Sequence, residues 1–196
     1  MSKTTTEKLQ DAALARFAVQ GFDATTMNEI AVDVGIKKPS VYAHFRNKDE
    51  LFMSLMPKII EDELNNARQV LQGGDRIQQQ LREYLEGIQE RFELSHQVRF
   101  WVRTLFAPPV HLYDEVIEPM HVFMEDLEAI IHQALAQSPL AGRPEGFSVD
   151  TLAMTYMALI DSLQSELLFG GTRKYQRRLE SVWLVFDKAV FGSTKS

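Results

Sequence analysis

The sequence predicts an all-α protein in two parts, and three observations carry that prediction. Apolar residues recur at three- and four-residue spacing along most of the chain, no stretch alternates with the period of a strand, and turn-forming clusters (QGGD, FAPPV, SPLAGRPEG, FGGT) separate the helical stretches. With 196 residues, 45% of them hydrophobic, the chain can bury a substantial core as one or two domains. It has no cysteine, which excludes disulfides and thiolate metal ligands. The segment MSKTTTEKLQ lacks the apolar core of a signal peptide, and no run approaches the ~20 apolar residues of a membrane span. A soluble, cytoplasmic protein is expected.

The elements follow in chain order. In TEKLQDAALARFAVQGF, Leu9, Ala12, Ala13, Phe17 and Ala18 fall on one helical face and Gly21 supplies a stop. In TTMNEIAVDVG, Thr26 followed three residues later by Glu29 is a capping box, Met27, Ile30, Ala31 and Val34 form the apolar stripe, and Gly35 closes the helix. Pro39 suits the first turn of a third, short helix from about Lys38 to His44, because its missing N–H would have no intrahelical partner there. Asn47 with Glu50 caps a long helix through LFMSLMPKIIEDELNNARQVL, about residues 48–71, which Pro57 should kink. Further helices are expected at about 75–94, 96–106, 110–137, 148–169 and 174–191.

The second and third helices, joined by a short turn containing glycine, have the spacing of a helix-turn-helix, in which the second of the pair enters the major groove of DNA. Val41 and Phe45 are four apart and are expected to face inward onto Ile30 and Phe17, leaving Lys38, Ser40, Tyr42 and His44 for the outside. Lys38 and Ser40 then stand where a helix approaches base edges, and Lys48 beside the next helix start is placed for a phosphate oxygen. The charge distribution agrees. The chain carries a formal charge of −6, yet residues 1–50 hold seven Lys or Arg against seven Asp or Glu. From Ile36 to Lys48 there are four basic residues (Lys37, Lys38, Arg46, Lys48) and no acid, a local footprint for an anionic partner. The same shape also serves as a plain packing corner, with the Tyr/His/Phe cluster as a small core.

The wider pattern, AALARF, GF, TTMNEIA, VGI, KPSVYAHF and NKDELF in register between Leu9 and Phe52, resembles the N-terminal domain of the TetR family of transcriptional repressors over about a quarter of the chain. That resemblance implies a three-helix helix-turn-helix DNA-binding domain, residues 1–48, followed by a helical effector-binding and dimerisation domain, residues 49–196. It further implies base contacts from Lys38, Pro39 and Ser40, with Asn28 on the preceding helix as a further candidate. Phosphate contacts are implied for Thr26, Tyr42, His44 and Lys48. Lys37 departs from the pattern, standing where a small hydroxyl residue often caps the recognition helix; there it can add an electrostatic contact. The implied partners are a palindromic double-stranded operator, a second copy of the chain and a small-molecule effector, with no cofactor. A protein of this fold that instead recruits a protein partner is the alternative.

In the last helix Leu179, Val182, Trp183, Phe186 and Val190 cover one face, and Leu152, Tyr156, Ile160, Leu163 and Leu167 mark the preceding helix. The two stripes read as half of a four-helix dimer interface, which the resemblance favours; a monomer's own core is the alternative. Between the two parts lie large adaptable side chains, Phe92, Phe100, Trp101, Phe106, Met120, Phe123, Met124, Met154 and Met157, which line an apolar pocket or simply fill a core. Arg99 and Arg103 flank Trp101 in sequence and would suit an anionic ligand end; Asp161 would suit a cation. The sharpest enzymatic rival is a di-metal carboxylate bundle, since Glu93-x-x-His96 and Glu118-x-x-His121 each offer a carboxylate and an imidazole one turn apart. Pro119 interrupts the second of these, and no phosphate-binding glycine loop, HExxH motif or nucleophile elbow is present.

Overall fold

The computed structural model describes residues 3–141 and 146–192. Ten α-helices run through them: α1 Thr5–Ala24, α2 Met27–Val34, α3 Lys38–Val41, α4 Lys48–Met53, α5 Met56–Val70, α6 Ile77–Leu94, α7 His96–Phe106, α8 Tyr113–Ala136, α9 Val149–Phe169 and α10 Thr172–Val190. Single 3-10 turns precede α6 and α8, and no strand forms among the described residues. The chain divides into two compact units, Met1–Asp62 with Leu94–His121, and Glu63–Glu93 with Val122–Ser196.

In the first unit the helix starts are fixed by side chains that satisfy backbone N–H groups otherwise left without partners. Thr4 and Thr26 form complete capping boxes with Glu7 and Glu29, Asn47 accepts from the Glu50 N–H at 2.8 Å, and Ser95 caps α7. At Gly21 (φ 84°) the helical run of α1 breaks, as the glycine suggested. Leu9, Ala13, Phe17, Ile30, Val41 and Leu51 are fully buried beneath these helices. Phe17, Phe22, Phe52 and Phe100 form one ring cluster with centroids 5.0–6.3 Å apart, so α7 completes the core beneath the helix-turn-helix. Phe100 belongs to this cluster.

Two expectations change. The third helix is shorter than its pattern suggested: α3 ends at Val41, and the N–H groups of His44 and Phe45 both turn back to the Val41 carbonyl. Lys37 offers α3 no side-chain cap, so the helix begins without that support. The expected kinked helix over 48–71 is two helices. Pro57 has no N–H to give the Met53 carbonyl four residues back, and the chain breaks at Ser54–Leu55 so that Pro57 sits in the first turn of α5. Ser54 steadies the break, its hydroxyl donating to the Leu51 carbonyl at 2.7 Å and accepting from Gln10 Nε2 at 3.1 Å.

The second unit is held by buried tyrosines and one half-buried ion pair. Tyr156 and Tyr175 are fully buried and donate to the Leu81 and Leu85 carbonyls of α6; burial pushes both phenols well above their ordinary range. Arg91 grips both carboxylate oxygens of Glu63 at 2.7 Å. The buried Gln80 amide accepts from the N–H groups of Gln72 and Gly73 at 3.1 and 2.9 Å, pinning the turn before α6.

Candidate nucleic-acid interface

The corner that would meet DNA is built from local signals. The Thr26 hydroxyl accepts from the Glu29 N–H at 3.2 Å, and the Glu29 carboxylate accepts from the Thr26 N–H at 2.8 Å. At the other end Gly35 (φ 76°, ψ 29°) takes the left-handed conformation and the Ile36 N–H reaches the Ala31 carbonyl at 3.0 Å, a Schellman closure that turns the chain toward α3. Arg16 fastens α2 to α1, donating to Glu29 Oε1 and Asp33 Oδ1 at 2.9 Å each. These contacts hold both carboxyls below their ordinary range: Asp33 through Arg16, and Glu29 chiefly through the Thr26 hydroxyl and N–H.

On this scaffold Lys37, Lys38, Pro39, Ser40 and Tyr42 share one exposed stretch, and Thr26 and Asn28 are exposed on the turn and helix that precede it. Val41 and Phe45 point inward, as their spacing indicated. His44 is exposed, with Nδ1 3.0 Å from the Thr6 hydroxyl. Lys48 differs from the others. Its ammonium donates to the Phe22 and Thr25 carbonyls at 2.7 and 2.9 Å and lies 4.0 Å from the Phe22 ring centroid, so it closes the end of α1. The spacing of Lys48 gave no sign of that, because the acceptors lie more than twenty residues away.

The candidate effector residues fall into two groups. Arg99, Trp101, Arg103, Phe106 and Met120 belong to the first unit; Phe92, Phe123, Met124, Met157 and Asp161 belong to the second. Arg99 and Arg103 flank Trp101 in sequence only. At 100° per residue the indole lies about 200° from either arginine, and the structure buries Trp101 while Arg103 reaches the Val19 carbonyl of α1 at 3.4 Å. Asp161 does not sit in the core beside Met157: it shares the exposed side of α9 with Met154 and Ala158, where partial desolvation raises its carboxyl's pKa.

The two stripes marked for a dimer interface turn mostly inward. Leu152, Tyr156, Ile160, Leu163 and Leu167 of α9 and Leu179, Phe186 and Val190 of α10 are buried in the chain's own core, while Val182 and Trp183 are half-exposed. Part of the apolar surface left on these helices lines a groove of about 490 Å³, bounded by Phe147, Thr151, Thr155, Leu159, Val182 and Val185, among others. The metal-binding rival loses its geometry. Ser95 ends one helix and caps the next, so Glu93 and His96 do not share a helix, and Glu93 accepts instead from Thr172 at 2.7 Å. Glu118 and His121 flank Pro119 in α8 and are exposed. No group of three or more metal-ligating side chains occurs among the described residues, and no helix among them is long and apolar enough to cross a membrane.

Sequence reasoning missed three contributors: Arg16, Phe22 and His111. His111 lies 3.1 Å from Asp49 at the start of α4 and 5.3 Å, centroid to centroid, from Phe22. No local pattern joins a histidine after FAPPV to an aspartate sixty-two residues earlier.

Comparison with known proteins gives these residues a context. The family described as bacterial regulatory proteins, tetR family, matches residues 9–55. The biofilm operon icaADBC HTH-type negative transcriptional regulator IcaR of Staphylococcus aureus (strain Newman) is 35% identical over 107 residues, 52% of this chain and 54% of that protein. The chain thus matches about half the length of this curated relative. Among solved structures, a TetR-like transcriptional regulator from Rhodococcus sp. RHA1 shares the fold with a TM-score of 0.68 at 18% identity, over 98% of this chain and 100% of that one. The transcriptional regulator FadR from Bacillus subtilis, solved in complex with stearoyl-CoA, shares it with a TM-score of 0.65 at 15% identity, over 95% and 98% of the two chains. Residues 9–55 thus carry the signature of the tetR family of bacterial regulatory proteins, and nearly the whole chain shares its fold with the TetR-like regulators named above.

Proposed function

We propose that the protein is a repressor that binds a palindromic operator as a homodimer and leaves it when a small apolar or amphipathic molecule binds. The observation that carries the DNA reading is the exposed row Lys37, Lys38, Pro39, Ser40 and Tyr42, set on a corner fixed by the Thr26 box and the Gly35 closure. Lys38, Pro39 and Ser40, with Asn28, take the base edges; Thr26, Lys37, Tyr42 and His44 take phosphates. Lys48 fits a phosphate contact without losing its clamp. An ammonium has three N–H donors, two are held by the Phe22 and Thr25 carbonyls, and the third is left for a phosphate oxygen. The likeness to IcaR, a negative transcriptional regulator, supports repression.

A second copy is proposed to cover the apolar groove between α9 and α10, where Phe147 and Val185 are each more than half exposed. Two-fold symmetry would place two α3 helices about one helical turn of DNA apart, or a multiple of it, which makes the operator palindromic. The proposed effector region lies in the second unit, with Phe92, Phe123, Met124 and Met157 as its candidates, and the stearoyl-CoA bound by Bacillus subtilis FadR supports an acyl-like ligand class. Such a ligand must favour the non-binding arrangement, since equal affinity for both shifts nothing. Such a regulator would act in the cytoplasm. The test is selection of duplexes from a randomised pool by the purified protein, with sedimentation of the free protein alongside. A recovered palindrome and a mass twice 22.4 kDa are expected. Recovery of no preferred sequence, or a stable monomer at micromolar concentration, would overturn the reading.

A further inference from the structure

Glu63 of α5 and Arg91 of α6 are charged residues on helix faces that are otherwise apolar. Glu63 falls one turn after Ile59 and one turn before Ala67, and Arg91 lies on the side of α6 that carries Tyr84 and Ile88; all of these neighbours are buried. Both charged residues belong to the second unit. Taking an ion pair out of water is costly unless its remaining donors and acceptors are satisfied. In this pair one donor is not. The Arg91 hydrogen bonds to Glu63 both run from Nη1, to Oε1 and Oε2 at 2.7 Å each, while Nε is buried and has no partner among the described residues. Glu63 thus occupies one corner of the guanidinium and leaves the Nε–H on its side edge unused. Buried polar groups in folded proteins are hydrogen-bonded, so a buried N–H held open at the edge of an ion pair marks a place for an acceptor.

Charge decides which acceptor fits. Glu63 already supplies the one negative charge that Arg91 balances, and a ligand carboxylate on the same guanidinium would set a second anion beside Glu63. A carbonyl oxygen brings lone pairs without that charge. The surroundings are uncharged as well. Tyr84 is buried, and burial, followed by the nearby Glu63 carboxylate, pushes its phenol well above the ordinary range, so it stays protonated. Tyr156 and Tyr175 already donate to carbonyls of α6. We infer that Arg91 is a binding residue for the polar end of the effector, donating from Nε to the carbonyl oxygen of an uncharged acyl derivative (an ester, a thioester or an amide), and that Glu63 positions Arg91 and turns the free carboxylic acid away. The inference rests on the effector reading proposed above and names the chemistry of the ligand within it.

The test gives the full chain two probes of one chain length, methyl decanoate and decanoate, below their aggregation limits. Affinity is read by calorimetry, and the arginine Nε–H groups are followed by nitrogen–proton NMR, with the Arg91 signal assigned by its loss in Arg91→Lys. The wild type should bind methyl decanoate about tenfold more tightly than decanoate, and the ester should move the Arg91 Nε–H signal. Arg91→Lys keeps a cation opposite Glu63 but has no Nε–H, and should lose about tenfold in affinity for the ester. Glu63→Gln removes the competing anion and should shift the preference toward decanoate; if that variant does not fold, the Arg91 signal of the wild type still decides. An ester that binds without moving the Arg91 Nε–H signal, or decanoate bound as tightly as the ester, would overturn the inference and leave the effector reading standing. Binding of neither probe to the wild type would refute the acyl-like effector reading itself, and this role with it.

Discussion

The helix-turn-helix corner and the outer side of α9 and α10 present opposite surfaces. At the corner the exposed residues are Lys37, Lys38, Ser40, Tyr42 and His44, set on an apolar base of Val41, Phe45 and Ile30. On α9 and α10 the exposed residues include Met154, Leu184 and Val185, over a core already closed by Tyr156, Leu163 and Phe186. A surface that buries Val41, Phe45 and Ile30 and keeps its cations outside suits an aqueous anionic partner. One that leaves large apolar groups outside after its core is full calls for an apolar cover. The contrast lies in what each surface does with residues its own core does not need.

The largest effect should come from removing what lies beneath the corner. Phe52 is buried within ring contact of Phe17, Phe22 and Phe100, and Phe52→Ala should cost about 3–5 kcal/mol in chemical denaturation. Thr26→Ala removes a cap and should cost about 1 kcal/mol, enough to lower the melting temperature without unfolding the chain. Val185→Asp sharpens the contrast from the other side. Val185 is 69% exposed, so the folded chain should lose no more than about 0.5 kcal/mol, while the proposed dimer should dissociate in sedimentation. A dimer that survives Val185→Asp would place the contact elsewhere.

The smallest effect is the pH response of exposed carboxyls, and its sign differs between the regions. Glu29, Asp33 and Glu50 have folded-state pKa values below the ordinary range, held there by Thr26, Arg16 and Arg46. The stability they contribute is present above the unfolded-state pKa and is lost as pH falls through the lowered folded values. Asp161 has a raised pKa, so the folded state binds its proton more tightly and gains from acidification through that group. Melting curves between pH 7 and 3 should fall overall, and Asp161→Asn should raise stability near neutral pH but not at pH 3. Thr26→Ala should flatten the fall where Asp161→Asn does not.

The corner was legible in the sequence because what fixes it is local. A threonine three residues before a glutamate, a glycine at a helix end and two apolar residues four apart each act within one turn, and each formed as its spacing indicated. The same locality explains the two revisions there: Lys37 gives α3 no cap, and Pro57 ends a hydrogen-bond ladder instead of bending it. Farther along, periodicity located α9 and α10 but could not say which covering their apolar stripes would find. Tyr156 shows why, since its hydroxyl is satisfied by the carbonyl of Leu81, seventy-five residues away. Arg103 and His111 were hidden for the same reason, their partners Val19 and Asp49 being distant in sequence.

The exposed row of the corner is proposed to read duplex DNA, with base contacts and phosphate contacts separated along it. The most direct test measures affinities of the wild type, Lys38→Ala and Tyr42→Phe against a panel of duplexes, each at several salt concentrations. Tyr42→Phe should weaken binding to all duplexes alike, while Lys38→Ala should change which base is preferred at one position of each half-site, by about 1–3 kcal/mol. Wild-type affinity should fall steeply with salt as counterions are released. A Lys38→Ala protein that loses affinity evenly across the panel, or a wild type that does not distinguish the duplexes, would contradict it.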